Sequence, residues 1–238
     1  MAKIDEPIHL RGTPRSVRGF VAMEQHEIGV SPNAEFDGLT HRHEPLNVQT
    51  VPRGAHTELR VTLPEATAPG EYHGRVHLGE RSFPVVAQVE ARTHLVCVPP
   101  QIELTSGRNR RLRETLTIVN DGNVPASIEK HYGFGLFETT GLDRAIGTAF
   151  GAPATKSRSG TDVFFDAAAE EYGGTVTASV EDGAGALKPG EARRVTLSFR
   201  LTEKAHRGAA YFGYLPIANL VIPVRIRNAD HSTTEAAS

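Results

Sequence analysis

The sequence predicts an all-β protein of two tandem antiparallel sandwiches, on three observations: a turn-rich composition, period-two hydrophobic alternation and an internal repeat. The 238 residues include 23 Gly and 15 Pro, with no Trp and 2 Met. Hydrophobic residues make up 39% and charged residues 23%, ordinary for a globular chain. Turn formers beside abundant Val and Thr favour many short strands over long helices. The length accommodates two domains of ordinary size.

The repeat sets the organisation. Residues 52–92 read PRGAHTELRVTLPEATAPGEYHGRVHLGERSFPVVAQVEAR, and residues 188–227 read KPGEARRVTLSFRLTEKAHRGAAYFGYLPIANLVIPVRIR. Each opens on a Pro/Gly turn. An alternating strand follows, with Leu59, Val61 and Leu63 in one and Val195, Leu197, Phe199 and Leu201 in the other; the polar residues between leave one wet face. A glycine then precedes an aromatic strand, at Gly70 and Tyr72 or Gly208 and Tyr211, and the unit closes on Phe83-Pro84-Val85 or Ile222-Pro223-Val224. Spacing of this length means two domains, not a short-period solenoid.

Upstream elements complete each domain. Leu112, Leu116 and Ile118 alternate with Arg113, Thr115 and Thr117, and Asn120-Asp-Gly-Asn-Val-Pro125 makes a turn. Ile8-His-Leu10, Gly19-Phe-Val-Ala22 and Leu46-Asn-Val48 are the weaker strands of the first domain. Seven strands per sandwich fit this spacing. The boundary falls near Thr93 to Pro100, where Val98-Pro99-Pro100 stiffens the chain. The expected division is 1–94, 95–228 and a disordered tail at 229–238, which is small and polar.

The strand and turn at 116–125, with Leu187-Lys-Pro-Gly-Glu191 leading into Val195, resemble the CARDB-like and PapD-like immunoglobulin domains. The resemblance covers about two thirds of the second domain and the last half of the first. It implies two tandem immunoglobulin-like antiparallel β-sandwiches, the second with a long insertion. Members of that superfamily serve as adhesion modules, spacers, pilus chaperones and assembly subunits, so the motifs specify fold far better than function.

The insertion, residues 131–174, has no counterpart in the first repeat. It holds seven of the chain's 15 aromatics: Tyr132, Phe134, Phe137, Phe150, Phe164, Phe165 and Tyr172. Asp162 is placed to cap a helix from Val163 to Tyr172 that Gly173 ends. Residues 151–160 read as a mobile, small and polar stretch. Two readings stand: an elaborated connection folded onto the sandwich, or a partner-contacting surface formed by Tyr132, Phe134, Phe137, Phe150, Phe164 and Phe165. The matched Pro84 and Pro223 either protect a sheet edge or leave the rest of the strand open to an added one.

Candidate chemistry is sparse. Histidines concentrate in the first domain, His26 among them; His41, His43 and Glu44 form an HRHE loop, and His73 and His77 point outward from one strand. This spacing matches no metal motif and Arg42 and Arg75 repel a cation, so no metal and no cofactor are expected. Cys97, the single cysteine, lies in the apolar Leu95-Val-Cys-Val98 and reads as an inert buried thiol. Glu170-Glu171 and Glu181-Asp182 read as solvated acidic pairs. Nucleophile-elbow, P-loop and dinucleotide motifs are missing. Residues 108–113 are basic but hold no aromatic, and the net charge is −2, so nucleic acid is not an expected partner.

The sequence therefore predicts a noncatalytic structural or interaction protein, a subunit or decoration module of a larger assembly, with other protein chains as partners. A chaperone lending or accepting an edge strand is the alternative, and an enzyme with a loop-borne site the third. The N-terminus carries no apolar run behind Lys3, and 18 uninterrupted apolar residues occur nowhere. The expectation is a cytoplasmic protein without membrane insertion, or one carried to a cell or virion surface by its partner.

Overall fold

The computed structural model describes residues 6–23, 31–39, 45–106, 110–151, 159–170 and 172–229. The chain forms two compact units. The first comprises Met1–His94 with Asn120–Ala126 and Lys188–Glu191; the second comprises Leu95–Val119, Ser127–Leu187 and Ala192–Ser238.

In the first unit seven strands follow one another: β1 (Ile8–Thr13), β2 (Ser16–Val21), β3 (Asn33–Phe36), β4 (Leu46–Arg53), β5 (His56–Val61), β6 (Gly70–Leu78) and β7 (Arg81–Val89). Alternation drives one face of each strand inward. Leu10, Val17, Phe36, Val48, Leu59, Val61, Val76, Leu78 and Val85 fill the interior, with Leu63 just beyond β5. The order β1-β2-β5-β4-β3-β6-β7 closes into a barrel. This corrects the expected antiparallel sandwich. Strand β1 pairs antiparallel with β2 through Arg11–Thr13 and parallel with β7 from Ile8 to Gly12, so a single strand seals both edges. The turn at 120–126 belongs to this unit because Asn123 is held there. Its amide donates to the carbonyls of Thr67 (3.0 Å) and Glu90 (2.9 Å), and its side-chain oxygen accepts the Arg92 N–H (2.6 Å).

The second unit runs β8 (Leu95–Val98), β9 (Ile102–Ser106), β10 (Arg111–Asn120), β11 (Ala126–Ile128), β12 (His131–Glu138), α1 (Gly141–Gly151), α2 (Gly160–Glu170), β13 (Tyr172–Asp182), β14 (Gly185–Leu187), β15 (Ala192–Arg200), β16 (Ala210–Ile217) and β17 (Leu220–Asn228). Its main sheet has the order β8-β10-β15-β13-β12-β16-β17-β9, and β11 pairs with β14. The edge strands β8 and β9 are joined by residues 99–101 alone, so the sheet must curl until its edges approach. Here β8 takes the neighbour that β1 has in β2, and β9 takes the neighbour that β1 has in β7. Strand β8 lies within residues 93–100, the stretch of the expected boundary.

Both units share one strand order, and the repeat holds to the residue. The parallel ladder starts at Ile8↔Val85 in one and Ile102↔Val224 in the other, immediately after Pro84 or Pro223. Tyr72 donates its hydroxyl hydrogen bond to the Ala68 carbonyl (2.9 Å), while the Tyr211 hydroxyl accepts the His206 N–H (2.7 Å). Val195, Leu197, Phe199 and Leu201 face the core as Leu59, Val61 and Leu63 do.

One buried charge sits in the barrel wall. The Glu58 carboxylate accepts from Arg60 Nε at 2.8 Å and Arg53 Nε at 3.1 Å. The Arg60 hydrogen bond, against the opposing cost of burial and with help from Arg53, holds the carboxyl down from 4.5 to about 2. A carboxylate depressed in the folded state stabilises above its unfolded pKa, and that contribution is lost as pH falls towards the folded value. The melting temperature of Glu58→Gln should therefore lie below wild type at neutral pH, and the gap should close between pH 4.5 and about 2. A gap independent of pH over that window would show that packing, not charge, is what Glu58 supplies.

Candidate functional site

The segment that departs from the repeat is narrower than the sequence suggests. Residues 131–138 form β12, which holds the place of β3, and β13 holds the place of β4; the extra chain is 139–171, against 37–45 in the first unit. Two helices lie in it. Thr140 offers its carbonyl to the Arg144 N–H at the start of α1 (3.1 Å), and Arg144 forms an ion pair with Glu138 at the end of β12. Ser159, not Asp162, caps α2: its hydroxyl accepts the Asp162 N–H (3.1 Å) while Asp162 accepts the Ser159 N–H (2.9 Å), a closed capping box. The helix therefore starts earlier than expected and ends at Glu170, and α1 adds a helix that the sequence reading lacks.

The six aromatics expected to form a contact surface separate. Phe134 is 6% exposed and packs edge-on against Phe199, ring centres 6.2 Å apart, so it is a core residue and leaves the surface set. Tyr132 is half-buried, its hydroxyl accepting the Glu129 N–H at 2.5 Å, and burial pushes its phenol up. Phe150 is 89% exposed and Phe165 64% exposed, and Phe164 is half-buried. With Ile146, Ala149 and Thr161 these three phenylalanines line a cavity of about 540 Å³ on the helical hairpin. Phe164 and Phe165 meet at 5.4 Å between ring centres. Ala145 is the side chain of α1 that is fully buried among those described.

Phe137, 51% exposed, belongs to a second surface that the sequence reading did not identify. It pairs with Tyr172 on β13 and with Phe212 on β16, at 5.3 and 5.9 Å between ring centres, and Phe212 meets Tyr214 at 6.4 Å. The register continues through Phe212↔Arg225 and Arg225↔Glu103. One row of outward side chains, Tyr172-Phe137-Phe212-Arg225-Glu103, thus crosses five strands. A groove of about 950 Å³ lies along its β16-β17-β9 end. The signal was present in Ala210-Tyr-Phe-Gly-Tyr: when both phases of an alternating strand carry aromatics, one aromatic phase must face out.

Other candidates dissolve or lie elsewhere. His73 Nε2 lies 3.0 Å from a Glu71 carboxylate oxygen, and His77 is half-buried across from Asn33. His26 and the His41-Arg42-His43-Glu44 loop fall outside the described residues, as do Glu171, Gly107, Arg108 and Asn109, residues 152–158 of the expected mobile stretch and the tail beyond Ala229. Among the described residues no group of three or more His, Cys, Asp or Glu could hold a metal ion. No described helix is long and apolar enough to cross a membrane. Cys97 is buried, which pushes its thiol up to about 11, far from a nucleophilic thiolate at neutral pH. Glu181 forms an ion pair with Arg113 at 2.7 Å. Strand β17 is flanked by β16 and β9, but the β9 ladder begins only at Val224, so Pro223 stands where that second ladder stops. Pro84 marks the same point on β7.

No family model matches the chain, and no curated protein does. Among solved structures it is similar to a two-domain immunoglobulin tandem of titin, at 11% identity over 94% of this chain and 95% of that one, with a TM-score of 0.25. A second titin fragment shows 10% identity over 94% and 96% of the two chains, with a TM-score of 0.31. A three-immunoglobulin titin fragment shows 9% identity over 94% of this chain and 63% of that one, with a TM-score of 0.36. The likeness to tandem immunoglobulin domains is weak and recurs across all three.

Proposed function

We propose that the protein is a noncatalytic interaction module of two immunoglobulin-like β units, a subunit or decoration module of a larger assembly that grips its partner through the second unit. The observation that carries this reading is the distribution of exposed apolar side chains. Of the ten large hydrophobics exposed among the described residues, only Phe20 lies in the first unit. Aromatics are the usual anchors of interfaces because they supply large apolar area with few rotatable bonds. A helical hairpin displaying Phe150 and Phe165 in solvent serves the sandwich little and a partner well.

Replacing residues 140–170 with a short Gly/Ser link tests this. Closure entropy changes slowly with loop length, so the melting temperature should stay within about 5 °C of wild type. Recovery of partner proteins from the native host, read by mass spectrometry, should fall sharply. Undiminished recovery by a stably folded deletion would remove the hairpin from the interface. A strand-exchanging chaperone is the second reading, favoured by the Leu220–Pro223 stretch that precedes the β9 ladder. It requires a protein that is monomeric until its client appears, whereas an assembly subunit co-purifies in fixed ratio.

A further inference from the structure

We propose that the groove on the outer face of β16, β17 and β9 binds an extended acidic segment of another polypeptide, with carboxylates two residues apart seated on Arg225 and Arg227. This rests on the second unit being an interaction module and assigns the chemistry of one of its partners. The groove is lined by Phe212, Tyr214, Pro223, Arg225, Arg227 and Glu103, among others.

Charge and spacing select the occupant. Arg225 and Arg227 are exposed, alternate residues of one strand, so their side chains leave the same face about 7 Å apart. An extended peptide laid along β17 has the same repeat, and carboxylates at its alternate positions meet both guanidinium groups. Neither arginine has a side-chain partner among the described residues. Arg11, Arg60, Arg113 and Arg144 are, by contrast, paired with Glu90, Glu58, Glu181 and Glu138. Of the acidic groups nearby, Glu138 is taken by Arg144 and Glu103 lies across from Arg225 without an ion pair to it among the described residues, while Arg227 lies across from the neutral Thr105. Phe212 lies across from Arg225 and Tyr214 across from Pro223, which gives the segment an apolar floor beside the cations. Displacing water there strengthens arginine–carboxylate hydrogen bonds, which are charge-assisted at both ends.

A single-stranded nucleic acid is the competing occupant for aromatics and arginines on a sheet. It needs open ring faces for base stacking. Here Phe212 is tilted against Phe137 and edge-on to Tyr214, so its faces are not open for a stack of bases, which favours the peptide.

The test uses the full chain and a fluorescein-labelled peptide, Gly-Phe-Glu-Thr-Glu-Phe-Gly, followed by fluorescence anisotropy. Saturable binding is expected, weakened by added salt, and absent for the same peptide with lysine in place of glutamate. The double variant Arg225→Glu/Arg227→Glu should lose at least about tenfold in affinity at an unchanged melting temperature. The hairpin-deleted protein should bind the peptide like wild type. Equal affinity of the double variant, or no saturable binding by wild type, overturns the proposal. So does an oligothymidine that binds more tightly and competes, or self-association abolished by the double variant in place of peptide binding. If the peptide fails while hairpin-dependent partner recovery persists, the acidic-peptide site falls and the interaction module stands.

Discussion

Phe134→Ala is expected to cost about 3–5 kcal/mol of stability, while Phe137→Ala, on the same strand, should cost less than about 1 kcal/mol. An odd separation of three residues puts the two rings on opposite faces of β12. Phe134 is buried against Phe199, in a core shared with Leu136, Val176, Leu197 and Val224. Truncation there removes a whole ring from close-packed surroundings and leaves a cavity that flanking strands cannot fill without breaking their ladders. Phe137 is half in water and meets Tyr172 and Phe212 in tilted ring contacts. Its loss forfeits two aromatic contacts but opens no hole. Urea unfolding of both variants measures the contrast. Similar losses would mean that the outer aromatic row supports the sheet, and the case for a binding face there would collapse.

The part of this architecture legible in the sequence is the part written locally. Leu59, Val61, Val195, Leu197 and Phe199 alternate with polar residues, and all five are buried. The repeat was legible because each unit carries its proline one residue before the parallel ladder begins, at Pro84 and Pro223. Barrel closure was not legible. It depends on Ile8–Thr13 serving two neighbours, a pairing decided some 75 residues away at Val85–Val89. Helix α1 was hidden because Gly141, Gly147 and Gly151 break up its apolar period, and glycine is a poor helix former. The candidate surface was only partly read. Density of aromatics in residues 131–174 pointed to Phe137, Phe150, Phe164 and Phe165, but treating that stretch as irregular concealed the alternation that sends Phe134 inward. Phe212 and Tyr214 went unread for a related reason: an aromatic strand looks like core until the phase facing out is counted.

Gly213→Ala and Gly74→Ala should each destabilise by about 3 kcal/mol, although a single methyl group is added. The two glycines occupy the same place in the repeat, Gly74 opposite Val85 and Gly213 opposite Val224. A Cβ at Gly74 would stand 2.1 Å from the Glu35 carbonyl oxygen and 2.9 Å from the Phe36 Cα. A Cβ at Gly213 would stand 2.5 Å from the Gly135 carbonyl oxygen and 2.8 Å from the Phe134 ring. The obstacle in both units is the backbone of the neighbouring strand, which cannot swing aside as a flexible side chain can. Relief requires β3 to part from β6, or β12 from β16, and with the latter goes the Phe137↔Phe212 pair that anchors the outer aromatic row. The control is Gly133→Ala on β12, where the nearest atom to an added Cβ is the Thr175 methyl at 4.0 Å. That change should be neutral, or stabilising by about 0.5 kcal/mol, because alanine has less backbone freedom to lose than glycine. Denaturant midpoints of the three variants decide the matter. If Gly213→Ala unfolds like Gly133→Ala, the close approach of β12 and β16 is absent in solution, and the aromatic row across them cannot have the spacing described.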